Sequence, residues 1–297
     1  GVFWEDGEDW AVESIAALEG GILAMVASPD RGTVALLTPA RILLMTRGWV
    51  LLNEQDLDWE DARQGLEPPT ITWREDSEFL VVCLHPDNIR ILDRFGKVHA
   101  RVTPKSGGIV AEPGDSSLYP LCAWEPRPGG AIAIPDRKGT MLFFEANGLR
   151  LRRREFELRR DRVLDVRWNS SSELLAVCFP NVVEIWFAKN YHWYLKRSWS
   201  IQDRFVSWTW DAIDPMQALL VADARSTQIR FDWTVQRSKD SSIGVVDGCR
   251  LLITHLSAAI IPPPMFSEMM EFPEDPVSEV CFSQDDDQSA TPATLKF

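Results

Sequence analysis

The segment RLRRREFELRRDR (150–162) carries seven arginines, at 150, 152, 153, 154, 159, 160 and 162, against Glu155, Glu157 and Asp161. Seven positive charges less three negative leave a local +4 in a chain whose formal net charge is −13. Such a strip could neutralise RNA phosphates or meet an acidic partner protein. Arg150, Arg152, Arg153, Arg154, Arg159 and Arg160 are therefore the candidate contact residues. Phe156 and Leu158 alternate with charged neighbours, which supports a different reading. That reading is an outer strand whose charges deter edge-to-edge pairing. Both stand at this point.

NYHWYLKRSWS (190–200) interleaves Tyr191, Trp193, Tyr194 and Trp199 with Lys196 and Arg197. Rings can stack on bases while cations neutralise phosphates. The same residues also sort by strand alternation. Tyr191, Trp193, Leu195 and Trp199 fall on one face, with Arg197 as its single charge, and His192, Tyr194, Lys196 and Ser198 fall on the other. A strand of a sheet is the simpler expectation.

Other chemistry is sparse. His85, His99, His192 and His255 have no metal-ligand spacing, and phosphate-cradling, dinucleotide and nucleophile-elbow motifs are missing from the sequence. The reading therefore assigns no catalytic, metal or cofactor-binding residue, expects no cofactor, and takes the chain as a non-enzyme. A sugar-cleaving propeller would use two carboxylates, but no spacing selects a pair among the 44 acids. The five cysteines include no C-x-x-C. Cys83, Cys178 and Cys281 lie in apolar runs and are expected to be buried, inert thiols. Free thiols suit the cytoplasm or nucleus. In AAIIPPPMF, Pro262, Pro263 and Pro264 predict a stiff extended segment, either a link between strands or a ligand for a proline-reading domain.

An acidic field of this size repels polyanions and anionic membranes outside local basic patches. No run approaches the roughly 18 apolar residues of a membrane helix. The chain opens on GVFWEDGEDW without an initiator Met and is read as a piece of a longer protein.

Positioning elements emerge from the tryptophans. ITWREDSEFLVVC (71–83), CAWEPRPGGAIAI (122–134), VRWNSSSELLAVC (166–178) and SWTWDAIDPMQALLV (207–221) share one pattern. A Trp ends a short apolar run, a polar turn follows, and a second apolar run begins. Trp73, Trp124, Trp168 and Trp210 are 51, 44 and 42 residues apart. AMVASPDRGTVALL (24–37) is a copy without Trp, and EVCFSQDDDQ (279–288) starts another. Each unit continues with two more strand-like segments. Four short strands per period of roughly 40 to 50 residues mark a β-propeller blade.

The expectation is an all-β, WD-repeat-like β-propeller, incomplete at its N-terminus. Residues 1–272 would supply five to six blades and residues 273–297 the start of a second propeller.

Several stretches, in this order, resemble the N-terminal propeller region of the IKAP family, the largest scaffold subunits of the Elongator complex. They are SPDRGTVALLTPARILLMTR, ITWREDSEFLVV, FFEANGLR, VRWNSSSELLAV, NYHWYLKRSWS, VSWTWD and VVDGCRLLITHLSAAIIPPPM. The resemblance implies a non-catalytic scaffold supporting wobble-uridine (U34) modification of tRNA. It implies other Elongator subunits as partners: a catalytic radical-SAM and acetyltransferase subunit and a second propeller subunit. Contact with tRNA would be indirect, and homodimerisation would use regions this chain lacks. The implied location is the cytoplasm, with the nucleus as a second compartment. A generic protein-interaction adaptor outside tRNA modification is the alternative.

Overall fold

A computed structural model describes residues 2–6, 9–13, 18, 20–56, 70–85, 88–102, 121–136, 138–160, 162–233, 241–272 and 276–281. Two compact units divide between Arg159 and Arg160. The first begins with the hairpin of β1 (Val2–Asp6) and β2 (Asp9–Glu13), followed by three antiparallel sheets of four strands each. They are β3 (Ala24–Ala27), β4 (Thr33–Leu37), β5 (Arg41–Thr46) and β6 (Leu51–Asp56); β7 (Thr70–Trp73), β8 (Phe79–His85), β9 (Asn88–Asp93) and β10 (Val98–Val102); and β11 (Ala123–Trp124), β12 (Ile132–Pro135), β13 (Thr140–Phe144) and β14 (Phe156–Glu157).

The second unit holds the four-stranded sheet β15 (Asp165–Trp168), β16 (Leu174–Cys178), β17 (Val182–Lys189) and β18 (His192–Ser200). Two three-stranded sheets follow. One is β19 (Phe205–Trp210), β20 (Gln217–Ala222) and β21 (Arg225–Arg230), and the other is β22 (Ser242–Asp247), β23 (Arg250–His255) and β24 (Glu268–Glu271). Every sheet is a meander in which each strand pairs with the next in the chain, the construction of a propeller blade.

The repeat read from the tryptophans is a backbone repeat. Trp73, Trp124, Trp168 and Trp210 are each the last residue of their sheet's first strand, and all four are buried. The following turn has one design. Ser28, Arg74 and Asn169 each donate their N–H to a carbonyl five residues on, that of Thr33, Phe79 and Leu174. Arg31, Ser77 and Ser172 occupy the matching position with φ of 57°, 62° and 62°. Non-glycine residues rarely adopt this left-handed backbone, so its recurrence at one position marks a shared turn. The third sheet makes its turn differently, because a Cβ on Gly130 would lie 2.2 Å from the Glu125 carbonyl oxygen. Only glycine fits there.

The second strands β4, β8, β12 and β16 are buried on both faces, which explains their unbroken apolar sequence. In β8, Leu80 and Val82 pack with Ala35, Leu37, Ile42 and Leu44 of the sheet before. Val81 and Cys83 face the other way, against Trp124, Ile132, Ile134 and Leu142. In the second unit Leu174, Ala176 and Cys178 of β16 pack with Phe205, Trp208, Trp210 and Leu220. Fully burying a side chain of this size contributes about 2 kcal/mol.

Some expectations give way locally. β18 is a strand as the alternation suggested, the outermost of its sheet, but Trp193, Tyr194 and Leu195 are buried in succession. Ile185 pairs with Arg197 and the next residue, Trp186, with Leu195. Lys196 is therefore the extra residue of a β-bulge, which resets which side chains face the core. The three prolines do not run extended: Met265 N–H donates to the Pro262 carbonyl at 3.2 Å, closing a turn with a cis Pro263–Pro264 bond. That turn links β23 to β24. Cys281 is exposed rather than buried, since its apolar run ends outside any strand of the described residues. The boundary expected at Pro273 and the segment after Cys281 lie outside the described residues.

Candidate functional site

The arginine segment is not one continuous strand. Arg152–Arg154 form a single 3-10 turn between an isolated bridge of Arg150 to Phe144 of β13 and the short outer strand β14, Phe156–Glu157. The alternation survives there, with Phe156 and Leu158 half-buried and Glu157 exposed. The turn splits the cations into different environments. Arg150 grips Glu155 through two hydrogen bonds, of 2.5 and 2.9 Å. That carboxylate holds the Arg150 guanidinium still more firmly protonated.

Arg154 folds inward and binds Glu125 in a two-pronged pair at 2.9 and 3.2 Å, with its guanidinium 5.0 Å from the Phe143 ring centroid. Glu125 is 1% exposed, and it also accepts from Arg127 Nε at 2.9 Å and from the Ala131 N–H at 3.0 Å. A carboxylate so deep is tolerable only when its lone pairs are taken. Arg160 belongs to the second unit and reaches the buried Glu184 of β17 at 3.3 Å. Glu184 also accepts the Trp186 indole N–H at 3.1 Å.

Arg154 and Arg160 therefore serve buried carboxylates, and Arg150 is paired with Glu155 within the run. Arg152, Arg153 and Arg159 are exposed. What the +4 run presents to a partner is narrower than its composition: an arginine-rich turn centred on Arg152 and Arg153, beside the short strand β14.

A cluster the sequence reading did not single out lies at the start of the last sheet. Asp247, 2% exposed, accepts from the Leu195 N–H at 3.1 Å and from Arg250 at 2.7 Å, and lies 3.2 Å from His192 Nε2. Burial pushes its carboxyl up, but the His192 and Leu195 hydrogen bonds and the Arg250 charge outweigh this and hold it below the ordinary carboxylate range. The turn signal Asp247-Gly248 was visible in the sequence, but partners 52 and 55 residues away were not. His255 is half-exposed in β23, with Nδ1 2.7 Å from the Ser242 hydroxyl. Among the described residues no three His, Cys, Asp or Glu side chains are grouped to hold a metal ion. No helix among them is long and apolar enough to cross a membrane.

The sheets and their tryptophan repeat can be set against known proteins. A family model described as the ELP1 first N-terminal beta-propeller matches residues 63–212, half of the chain. The chain belongs to this family. A second model, the ELP1 N-terminal second beta-propeller, matches residues 245–295, beginning within β22 and running over β23 and β24.

Similar curated proteins carry the name Elongator complex protein 1. The mouse protein is 28% identical over 344 residues, covering 92% of this chain and 25% of its own length. The fission yeast protein is 28% identical, covering 85% and 24%, and the budding yeast protein is 31% identical, covering 71% and 17%. The chain thus spans about a quarter of the length of the curated relatives it matches. A solved structure, the C-terminal WD40 domain of Sif2, aligns with a TM-score of 0.47 at 10% identity, covering 71% of this chain and 70% of that one, a likeness too slight to decide anything. Family membership and propeller architecture agree with the resemblance read from the sequence.

Proposed function

We propose that the chain is a non-catalytic propeller scaffold of an Elongator complex, supporting wobble-uridine (U34) modification of tRNA by a separate catalytic subunit. The observation that carries this reading is the pair of family-model matches, to the first and second propellers of one Elongator subunit. The side-chain chemistry is compatible with it. Glu125, Glu184 and Asp247, the buried carboxylates, are engaged by arginines, a histidine and backbone N–H groups in structural roles. Meander sheets with buried second strands form rigid platforms, and platforms of this kind present turns and edges to partners.

On this proposal the partners are the radical-SAM and acetyltransferase subunit and a second propeller subunit, with tRNA engaged indirectly, in the cytoplasm and the nucleus. Arg152 and Arg153, on the exposed turn, are the arginines of the 150–162 run best placed to meet an acidic partner. The test is deletion of the full-length parent followed by mass spectrometry of tRNA nucleosides. Loss of the wobble-uridine side chains, restored by the intact gene, is expected. Unchanged wobble uridines would overturn the reading and favour an adaptor outside tRNA modification.

A further inference from the structure

A cavity of about 690 Å³ in the second unit lies beside two strand edges. One wall is β22, whose hydrogen-bonding phase is fixed by its neighbours. The Cys249 and Ile253 carbonyls accept from Phe272 and Ser267, on the β24 side. Alternation along β23 then assigns Arg250, Leu252 and Thr254 to bonding with β22. Their partners there are Asp247, Val245 and Ile243. Ser242, Gly244 and Val246 consequently aim their backbone groups away from β23. Two bonds on that outer side agree: Lys196 Nζ donates to the Val246 carbonyl at 2.8 Å, and Gly248 N–H to the Leu195 carbonyl at 2.8 Å.

The opposite wall is the end of β21. Phe231 N–H donates to the Met216 carbonyl on the β20 side, so the backbone of Arg230 faces outward. Among the described residues β21 and β22 are both outermost in their sheets. Such edges are templates for another strand. Gly244 has no side chain to hold a second backbone off.

Between the edges the lining is apolar, with Ile185, Met216 and Phe231 among its residues. The lining also carries three cations, Lys196, Arg197 and Arg230, against two acids, Asp232 and Glu279, a small positive excess in an acidic chain. Arg230 is paired with Asp232 at 3.7 Å, while Lys196 and Arg197 sit against rings, 4.7 Å from Tyr194 and 6.0 Å from Trp199. Lys196, the bulged residue of β18, lines the cavity. Its ammonium has three donors, and the Val246 carbonyl takes one.

We propose that this cavity docks an extended acidic segment of a partner protein. The segment adds as a short strand along the β22 edge at Ser242–Gly244, seats one apolar side chain between the edges, and sets a carboxylate against Lys196 and Arg197. Backbone pairing supplies register, the pocket selects the apolar residue, and charge selects the acidic one. A small anion would leave the strand edges unused, and a nucleic-acid strand has no run of backbone amides to pair with them. The site does not depend on Elongator membership, and its test is independent of wobble-uridine chemistry.

The test is fluorescence anisotropy with the full chain and a fluorescein-labelled peptide of sequence EVEFEVE. Three comparison probes are the charge-reversed KVKFKVK, EVEFEVE N-methylated on alternate amides, and 8-anilinonaphthalene-1-sulfonate. Saturable binding of EVEFEVE is expected, weakened about tenfold or more by charge reversal and by N-methylation. Lys196→Met and Arg197→Gln should each weaken it about fivefold. No peptide binding, equal binding of the two charge forms, or indifference to N-methylation would overturn the proposal. So would binding of the sulfonate alone, which would make the cavity a small-molecule pocket. The probe comparisons hold on the unmodified chain, so they stand even if a variant fails to fold.

Discussion

The indole N–H of Trp210 donates to the carbonyl of Arg167 at 3.1 Å, joining the first strand of one sheet to the first strand of the sheet before it. In the first unit Trp73 does the same to Val26, at 3.3 Å. At these two positions the Trp is both a core filler and a stitch between neighbouring sheets, whereas the Trp124 indole N–H turns to the Gly130 carbonyl of its own turn at 3.1 Å. Trp210→Phe should keep most of the packing and lose the stitch, costing about 1 kcal/mol. Trp210→Ala should cost about 3–5 kcal/mol. Urea denaturation checks both, and an unchanged stability of Trp210→Phe would show that the hydrogen bond is irrelevant.

Arg154 is the arginine of the basic run whose loss should hurt stability most. Arg154→Met leaves Glu125 buried with Arg127 and one backbone N–H, and should cost about 3 kcal/mol. Adding Glu125→Gln removes the stranded charge and should recover part of that loss. Arg152→Glu and Arg153→Glu, at exposed positions, should change stability by less than about 0.5 kcal/mol. Chemical denaturation of the four variants distinguishes internal from outward-facing arginines.

Lys196 should leave a mark in the alkaline range. Burial pushes its amine down to about 8, with the Asp247 charge pulling the other way. Unfolded, it titrates near its ordinary value of 10.5. Between those two values the unfolded chain holds a proton that the folded chain has released, so stability rises with pH there. Below about pH 8 both states hold it and the cost of desolvating the charge is fully present. Relative to Lys196→Met, the unmodified chain should gain about 1–3 kcal/mol between pH 7.5 and 10, allowing for solvent screening. A pH-independent difference between the two would count against a desolvated amine.

Thiol reactivity should follow position rather than local sequence. Burial pushes the Cys83 and Cys178 thiols far up, aided by Cys122 in one case and by the Asp165 charge in the other. Iodoacetamide on the native chain should label the exposed Cys281 first and the half-buried Cys249 next. Cys83, Cys122 and Cys178 should label only in denaturant. Peptide mass mapping gives the order, and early labelling of Cys178 would contradict the packing of β16.

The blade pattern was legible because it is local. Trp at the end of a first strand, a polar reversal and an apolar run are all set within about 13 residues, as in VRWNSSSELLAVC. The doubly buried second strands were legible for the same reason, since runs such as LLAVC have no polar face to expose. What escaped the sequence was register and pairing. The bulge at Lys196 depends on how β17 and β18 close around the turn at Asn190 and Tyr191, both with positive φ. The fate of the arginines depends on acids elsewhere in the chain. Arg154 finds Glu125 across 29 residues and Arg160 finds Glu184 across 24, so an apparent basic strip becomes two internal ion pairs and an arginine-rich turn. Asp247 is a surface-type residue by sequence and a buried hub by position.

Affinity purification of the tagged full-length parent, followed by quantitative mass spectrometry, tests the central claim most directly. The scaffold account expects the radical-SAM and acetyltransferase subunit and a second propeller subunit to co-purify in fixed stoichiometry. Recovery of neither, at normal expression of the parent, would contradict it.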